Sequence, residues 1–136
     1  MGKIKKNPIP EDTKEKVNQI VSDFNKRVIK NSECFYVPRY DRNYLYLDRR
    51  NYGPTGPISR LKYQTGMNDW EFAIYKYSRG QYDPEEWLFP GSELINGTIE
   101  GALQAGLKAY PLRDKSIKGF RLLGRILAFF MGGKNG

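Results

Sequence analysis

The chain has 136 residues, a length typical of one domain, and 39% of them are hydrophobic, which is enough for a compact core. Its net charge of +8 favours a polyanionic partner, such as nucleic acid, anionic lipid or an acidic protein. It contains no histidine and one cysteine, which excludes imidazole catalysis, zinc and iron–sulfur sites and an internal disulfide.

The remaining chemistry is sparse. No phosphate-binding loop or dinucleotide fingerprint is present, and the carboxylates beside Trp70 and Trp87 are spaced as capping groups and solvated faces usually are. We therefore expect a protein that is not an enzyme, with no catalytic residue, metal site or cofactor. The unpaired thiol of Cys34 and the lack of a signal sequence or a spanning apolar run predict a cytoplasmic location.

The first part of the chain is predicted to be a flexible basic arm over residues 1–11, followed by a single α+β domain over residues 12–111. A helix is predicted over residues 12–30, with Asp12 as its N-terminal cap. Its apolar residues recur at helical spacing and form one stripe: Val17, Ile20, Val21, Phe24 and Val28.

A four-stranded antiparallel meander is predicted next, in the segments CFYVPRY, YLYLDRR, ISRLKYQT and WEFAIYKYS. Turn formers separate these segments. Pro38 cannot donate to a strand ladder, so the first strand is predicted to lie at an edge. Asp83 and Pro84 indicate a short helical turn. A second helix is predicted to begin after Thr98, its cap, and to end before Pro111.

Residues 112–136 are predicted to form an amphipathic, basic C-terminal helix with a frayed tail. Plotted as a helix, residues 116–131 present a broad apolar surface beside a basic stripe. Such a surface must be covered by this domain, by a partner or second copy of the chain, or by a lipid interface. The candidate interaction residues are Lys118, Phe120, Arg121, Leu123, Arg125, Leu127 and Phe130.

Strand alternation separates two faces of the predicted sheet. The apolar face is expected to pack under the helices and carries Leu45, Leu47, Leu61, Tyr63, Trp70, Phe72 and Ile74. The opposite face combines aromatic rings with cations, which is the combination that binds unpaired bases and phosphates. The candidate nucleic-acid-binding residues on it are Tyr44, Tyr46, Arg50, Arg60, Lys62, Tyr75 and Tyr77.

Three interpretations of that second face stay open. It binds nucleic acid, it is an ordinary half-exposed strand surface with paired tyrosines, or it is covered by the C-terminal helix or a second subunit. The function favoured by the sequence is a non-catalytic binding module for a polyanion such as single-stranded nucleic acid. The alternative is a protein-interaction or membrane-peripheral adaptor that acts through the C-terminal helix.

The order of elements resembles that of a double-stranded RNA-binding domain, in which a helix, antiparallel strands and a second helix follow one another. A Gly-Pro loop of that family has counterparts at Gly53-Pro54 and Gly56-Pro57. The family's loop histidine is missing, and Glu100 occupies the start of the second helix, where the family carries lysines. The resemblance is therefore one of topology alone, and a cystatin-like order, which also starts with a helix before a meander, fits as well.

Overall fold

The structure is a computed structural model and describes residues 8–112. Within that range the chain forms helix α1 (Glu11–Phe24), strands β1 (Cys34–Asp41), β2 (Tyr44–Asn51), β3 (Thr55–Tyr63), β4 (Trp70–Lys76) and β5 (Gln81–Asp83), and helix α2 (Ile99–Ala109). The fold class is α+β, as predicted. The predicted C-terminal helix and its candidate residues lie outside the described residues.

Helix α1 begins at Glu11, with Pro10 as its N-cap residue, rather than at the predicted cap Asp12. The helix continues as one π-helical turn, Asn25–Ile29. Its C-cap residue is Lys30, which has the left-handed conformation. The prediction of one α-helix over residues 12–30 is corrected here. The Asn25 side chain explains the change, because its Oδ1 accepts the backbone N–H of Tyr36 at 2.8 Å while its Nδ2 donates to the Tyr36 carbonyl at 3.1 Å.

The described strands form one antiparallel sheet in the order β1-β2-β3-β4-β5, so each strand pairs with its neighbours in sequence. The prediction of a four-stranded meander therefore missed one strand, because the sheet has five among the described residues. Residues 81–83, the extra strand, pair with β4 through Tyr75↔Tyr82 and Lys76↔Gln81. The predicted helical turn after Asp83 is a hydrogen-bonded turn instead, with the Glu85 N–H donating to the Asp83 carboxylate. Pro38 lies in edge strand β1, as predicted.

Both helices pack on one face of the sheet and enclose the core with it. A single cluster of buried residues joins Val17, Val21 and Phe24 of α1 to Leu103 of α2 and to the strand residues Leu45, Leu47, Leu61, Trp70, Phe72 and Ile74. The predicted apolar face is therefore the buried one. Thr98 caps α2, as predicted, by accepting the N–H of Gly101 at 3.0 Å. Residues 8–112 contain no helix that is both long and apolar enough to cross a membrane.

Candidate nucleic-acid interface

The candidate site is the sheet surface that points away from the helices, here called the tyrosine face. Burial alternates along β2, where Leu45 and Leu47 are buried while Tyr44 and Tyr46 stay half-exposed. Among residues 8–112, neither helix packs on this side. The tyrosine face consists of Arg39 on β1, Tyr44, Tyr46 and Asp48 on β2, Arg60 and Lys62 on β3, Glu71 and Tyr75 on β4, and Tyr82 on β5.

The rings on the tyrosine face form a continuous row across the sheet. The centroids of Tyr44 and Tyr46 are 6.2 Å apart, those of Tyr46 and Tyr82 are 5.4 Å apart, and those of Tyr82 and Tyr75 are 5.0 Å apart. The pairs are tilted or edge-to-face, which is the arrangement that the ring quadrupole favours. Each ring therefore holds its neighbour in a fixed orientation.

Two guanidinium groups lie over this row. The Cζ atom of Arg39 is 4.3 Å from the Tyr46 centroid, and that of Arg60 is 4.5 Å from the Tyr44 centroid and 5.4 Å from the Tyr82 centroid. Arg39 is also held by Asp48, whose Oδ2 accepts its Nε–H at 2.9 Å. That hydrogen bond raises the pKa of Arg39, so its charge is fixed. The arrangement combines cations and π surfaces in one layer.

Tyr82 is the residue in which these contacts meet. Partial burial, and secondarily the charge of Asp48, raise its pKa to about 12. Its hydroxyl therefore stays protonated at any physiological pH, and the ring adds no negative charge to the tyrosine face. Tyr82 lies on the three-residue strand β5, which the sequence patterns did not reveal.

The structure brings five of the seven predicted binding residues together, namely Tyr44, Tyr46, Arg60, Lys62 and Tyr75. Arg50 lies on the same side of β2 but at the far end of the strand, where it is exposed and its Cζ is 6.0 Å from the Phe35 ring. Tyr77 lies beyond the end of β4. Its hydroxyl donates to the Pro57 carbonyl at 2.8 Å, and its ring is edge-to-face with Tyr110, 5.4 Å away.

Four residues of the face were not among the predicted ones: the cation Arg39, the ring of Tyr82, and the carboxylates Asp48 and Glu71. A signal for Arg39 was available, because it stands in an alternating strand and one residue before a tyrosine. Tyr82 had no comparable signal, since its strand is too short to show a period of two.

A concavity of about 190 Å3 opens beside the ring row. It is lined by residues of β2, β3 and β4 and by Pro84, which follows β5, namely Tyr44, Arg60, Lys62, Glu71, Phe72, Ala73 and Pro84. It exists because Ala73, paired with Arg60, is small among large neighbours. Its volume is below that of sites for drug-sized ligands, so it suits one small planar group.

Within residues 8–112 no group of three or more Cys, Asp and Glu side chains is arranged to hold a metal ion. Comparison of the chain with protein-family models, with curated proteins and with solved structures finds no match.

Proposed function

We propose that the protein is a non-catalytic module that binds single-stranded nucleic acid on the tyrosine face. The observation that carries this proposal is the shared layer of rings and cations, in which Arg39 lies over Tyr46 and Arg60 lies over Tyr44. Unpaired bases stack on aromatic rings and on guanidinium groups, and Lys or Arg side chains hold the phosphates between them.

The charge of the surface supports a polyanion. Arg39, Arg60 and Lys62 stand on the tyrosine face, with Arg50 at its rim. The carboxylate at the centre, Asp48, is already neutralised by Arg39. Around Arg60 and Lys62 the layer carries two cations and one exposed carboxylate, that of Glu71, so its net charge there is positive. A strand that crosses β2, β3 and β4 there would meet rings and cations in turn.

The matching of rings and charges favours nucleic acid over an acidic protein. An acidic protein would use the cations alone, whereas unpaired bases use the rings as well. Removing a ring therefore separates the two classes of partner. Shape-based recognition of a duplex would likewise depend on phosphate contacts and leave the rings unused.

The test is a fluorescence-anisotropy titration of a labelled oligothymidine at about 50 mM salt, where phosphate contacts are strong. We expect weak binding by the wild type and a loss of about 1–3 kcal/mol for Tyr46→Ala, because a stacking ring is removed. Lys62→Gln is expected to flatten the dependence of log K on log salt by about one unit, since one phosphate contact is lost.

Lys16→Gln is the matched control, because it removes the same charge from an exposed position on α1, on the helix side of the sheet. It is expected to leave the salt slope close to that of the wild type. Binding that does not respond to salt, or equal binding by wild type and Tyr46→Ala, would overturn the proposal.

A further inference from the structure

We propose that the concavity beside the ring row is a base-reading subsite that prefers guanine. This inference rests on the proposed function and adds to it a residue pair that reads the base. The pair is Lys62 and Glu71, which stand directly opposite one another on β3 and β4 and both line the concavity.

The Lys62 and Glu71 side chains do not form an ion pair with each other, which is unusual for two opposite charges in register. Opposite charges in register on adjacent strands normally pair. Yet among the described residues the side chains of Lys62 and Glu71 make no hydrogen bond and no ion pair, although the neighbouring carboxylate Asp48 is bound to Arg39. Lys62 is half-buried as a residue, and its ammonium group has no protein acceptor among the described residues. Both groups are thus available to a ligand.

Guanine matches this pair. Its Watson–Crick edge carries an acceptor, O6, next to two adjacent donors, N1–H and the N2 amino group. A carboxylate accepts both donors at once, and an ammonium group donates to O6. Glu71 and Lys62 supply these two groups side by side. The phosphate of the same nucleotide then has Arg60 within the same wall of the concavity.

The other bases fit the pair less well. Adenine offers one donor group and a bare ring nitrogen on that edge. Uracil and thymine flank their single donor with two carbonyls, one of which would face the Glu71 carboxylate. Cytosine offers one amino group and leaves the second carboxylate oxygen without a donor. A Glu71 carboxylate oxygen that a bound base covers without supplying a donor loses its water partners, which disfavours the bases other than guanine.

The walls of the concavity supply the stacking surfaces. Tyr44 and Pro84 both line the concavity, and the small side chain of Ala73 leaves space opposite Arg60. The Arg60 guanidinium, with its Cζ 4.5 Å from the Tyr44 centroid, adds a second surface on which a base can stack. A single base is what such a space accommodates.

The experiment compares a short oligothymidine with the same oligomer carrying one central guanine, titrated against the full chain at low salt. We expect the wild type to bind the guanine oligomer about tenfold more tightly, within the range of one bidentate base contact. An oligomer with central hypoxanthine, which lacks the N2 amino group, is expected to fall between the two. Glu71→Gln is expected to abolish the ratio, whereas Glu85→Gln, the same charge change at an exposed position outside the concavity, is expected to keep it.

The outcomes separate this inference from the proposed function. Salt-sensitive binding of both oligomers with equal affinity would overturn guanine preference and leave the tyrosine face as a general binding surface. A guanine preference that survives in Glu71→Gln would also overturn the assignment of Glu71. Failure of the wild type to bind either oligomer would overturn both.

Discussion

Arg49 places a guanidinium inside the protein, with 1% of the residue exposed. Its Nη2 donates to the carbonyl of Tyr110 at the end of α2, and its Cζ is 5.5 Å from the Tyr36 centroid. A cation is favourable at a helix C-terminus, where unpaired carbonyls carry partial negative charge. Among the described residues, however, neither Nε nor Nη1 of Arg49 has a hydrogen-bond partner. Each such buried donor costs about 1–3 kcal/mol.

The two opposing effects at Arg49 lead to a prediction about its substitution. Arg49→Met keeps most of the volume and removes the unpaired donors, so we expect a free energy of unfolding within about 1 kcal/mol of the wild type, or above it. Arg49→Ala leaves a cavity and is expected to be about 2–5 kcal/mol less stable than Arg49→Met. Urea denaturation of the three proteins measures both differences. Equal losses for the two variants would show that the bond to Tyr110 outweighs the cost of the unpaired donors.

Three half-buried tyrosines predict a pH dependence. Burial raises the pKa of Tyr40, Tyr77 and Tyr82 from 10.0 to about 12. The neutral phenol is thus favoured in the folded state, so the stabilisation is complete below pH 10 and is lost as the pH rises from 10 towards 12. As the pH is raised, we expect the tyrosinate absorbance of these three residues to appear well above pH 10, at the same pH at which the circular-dichroism signal is lost. Tyr82→Phe should move that transition to higher pH. Ionisation of all tyrosines near pH 10 in a folded protein would contradict the prediction.

At the scale of elements, the close approach of α2 to the sheet depends on Gly106. A Cβ atom there would meet the hydroxyl of Tyr36 and lie 2.8 Å from Cγ2 of Ile58. The Tyr36 hydroxyl cannot easily move, because it is buried and donates to the Leu103 carbonyl at 2.9 Å. The absent side chain of Gly106 therefore sets the distance between α2 and β1.

The Gly106→Ala substitution has two opposing effects on stability: alanine favours the helix, but its Cβ atom crowds the contact with Tyr36 and Ile58. Alanine favours a helix by about 1 kcal/mol over glycine, whereas overpacking a core costs about 1–3 kcal/mol. We expect the overpacking to win and the melting temperature to fall. Gln104→Ala, at an exposed position of the same helix, is the control and should stay within about 0.5 kcal/mol of the wild type. A more stable Gly106→Ala protein would show that α2 can shift without loss.

The elements also differ in how far the sequence could predict them. The faces of β2, β3 and β4 followed from alternation, because one side of each strand is buried and polar residues there would be costly. Strand β5 was missed because its three residues carry no period, and its pairing depends on Tyr75 and Lys76 of β4. The end of α1 was missed because Asn25 bonds to Tyr36, a residue distant in sequence. The binding function proposed for this surface remains a prediction.

At the scale of the whole molecule, residues 8–112 already enclose a core built from both helices and from strands β1 to β4. The apolar segment predicted over residues 116–131 lies outside these described residues. We predict that deleting residues 116–136 preserves cooperative melting and changes the oligomeric state or the solubility, because the deleted surface exceeds what a helix can leave exposed. Calorimetry and light scattering would measure the two effects. A truncated chain that no longer folds would show that this segment is part of the core.

The order of the strands has a consequence for synthesis. Every strand of the described sheet pairs with its neighbour in sequence, so the hairpins can form one after another as the chain leaves the ribosome. Helix α1 is also made early, but α2 follows the last strand. Leu61, Phe72 and Ile74 therefore stay partly uncovered on the nascent chain until residues 99–109 emerge. During that interval the growing chain displays an apolar surface that a chaperone can bind, and the arrival of α2 removes it.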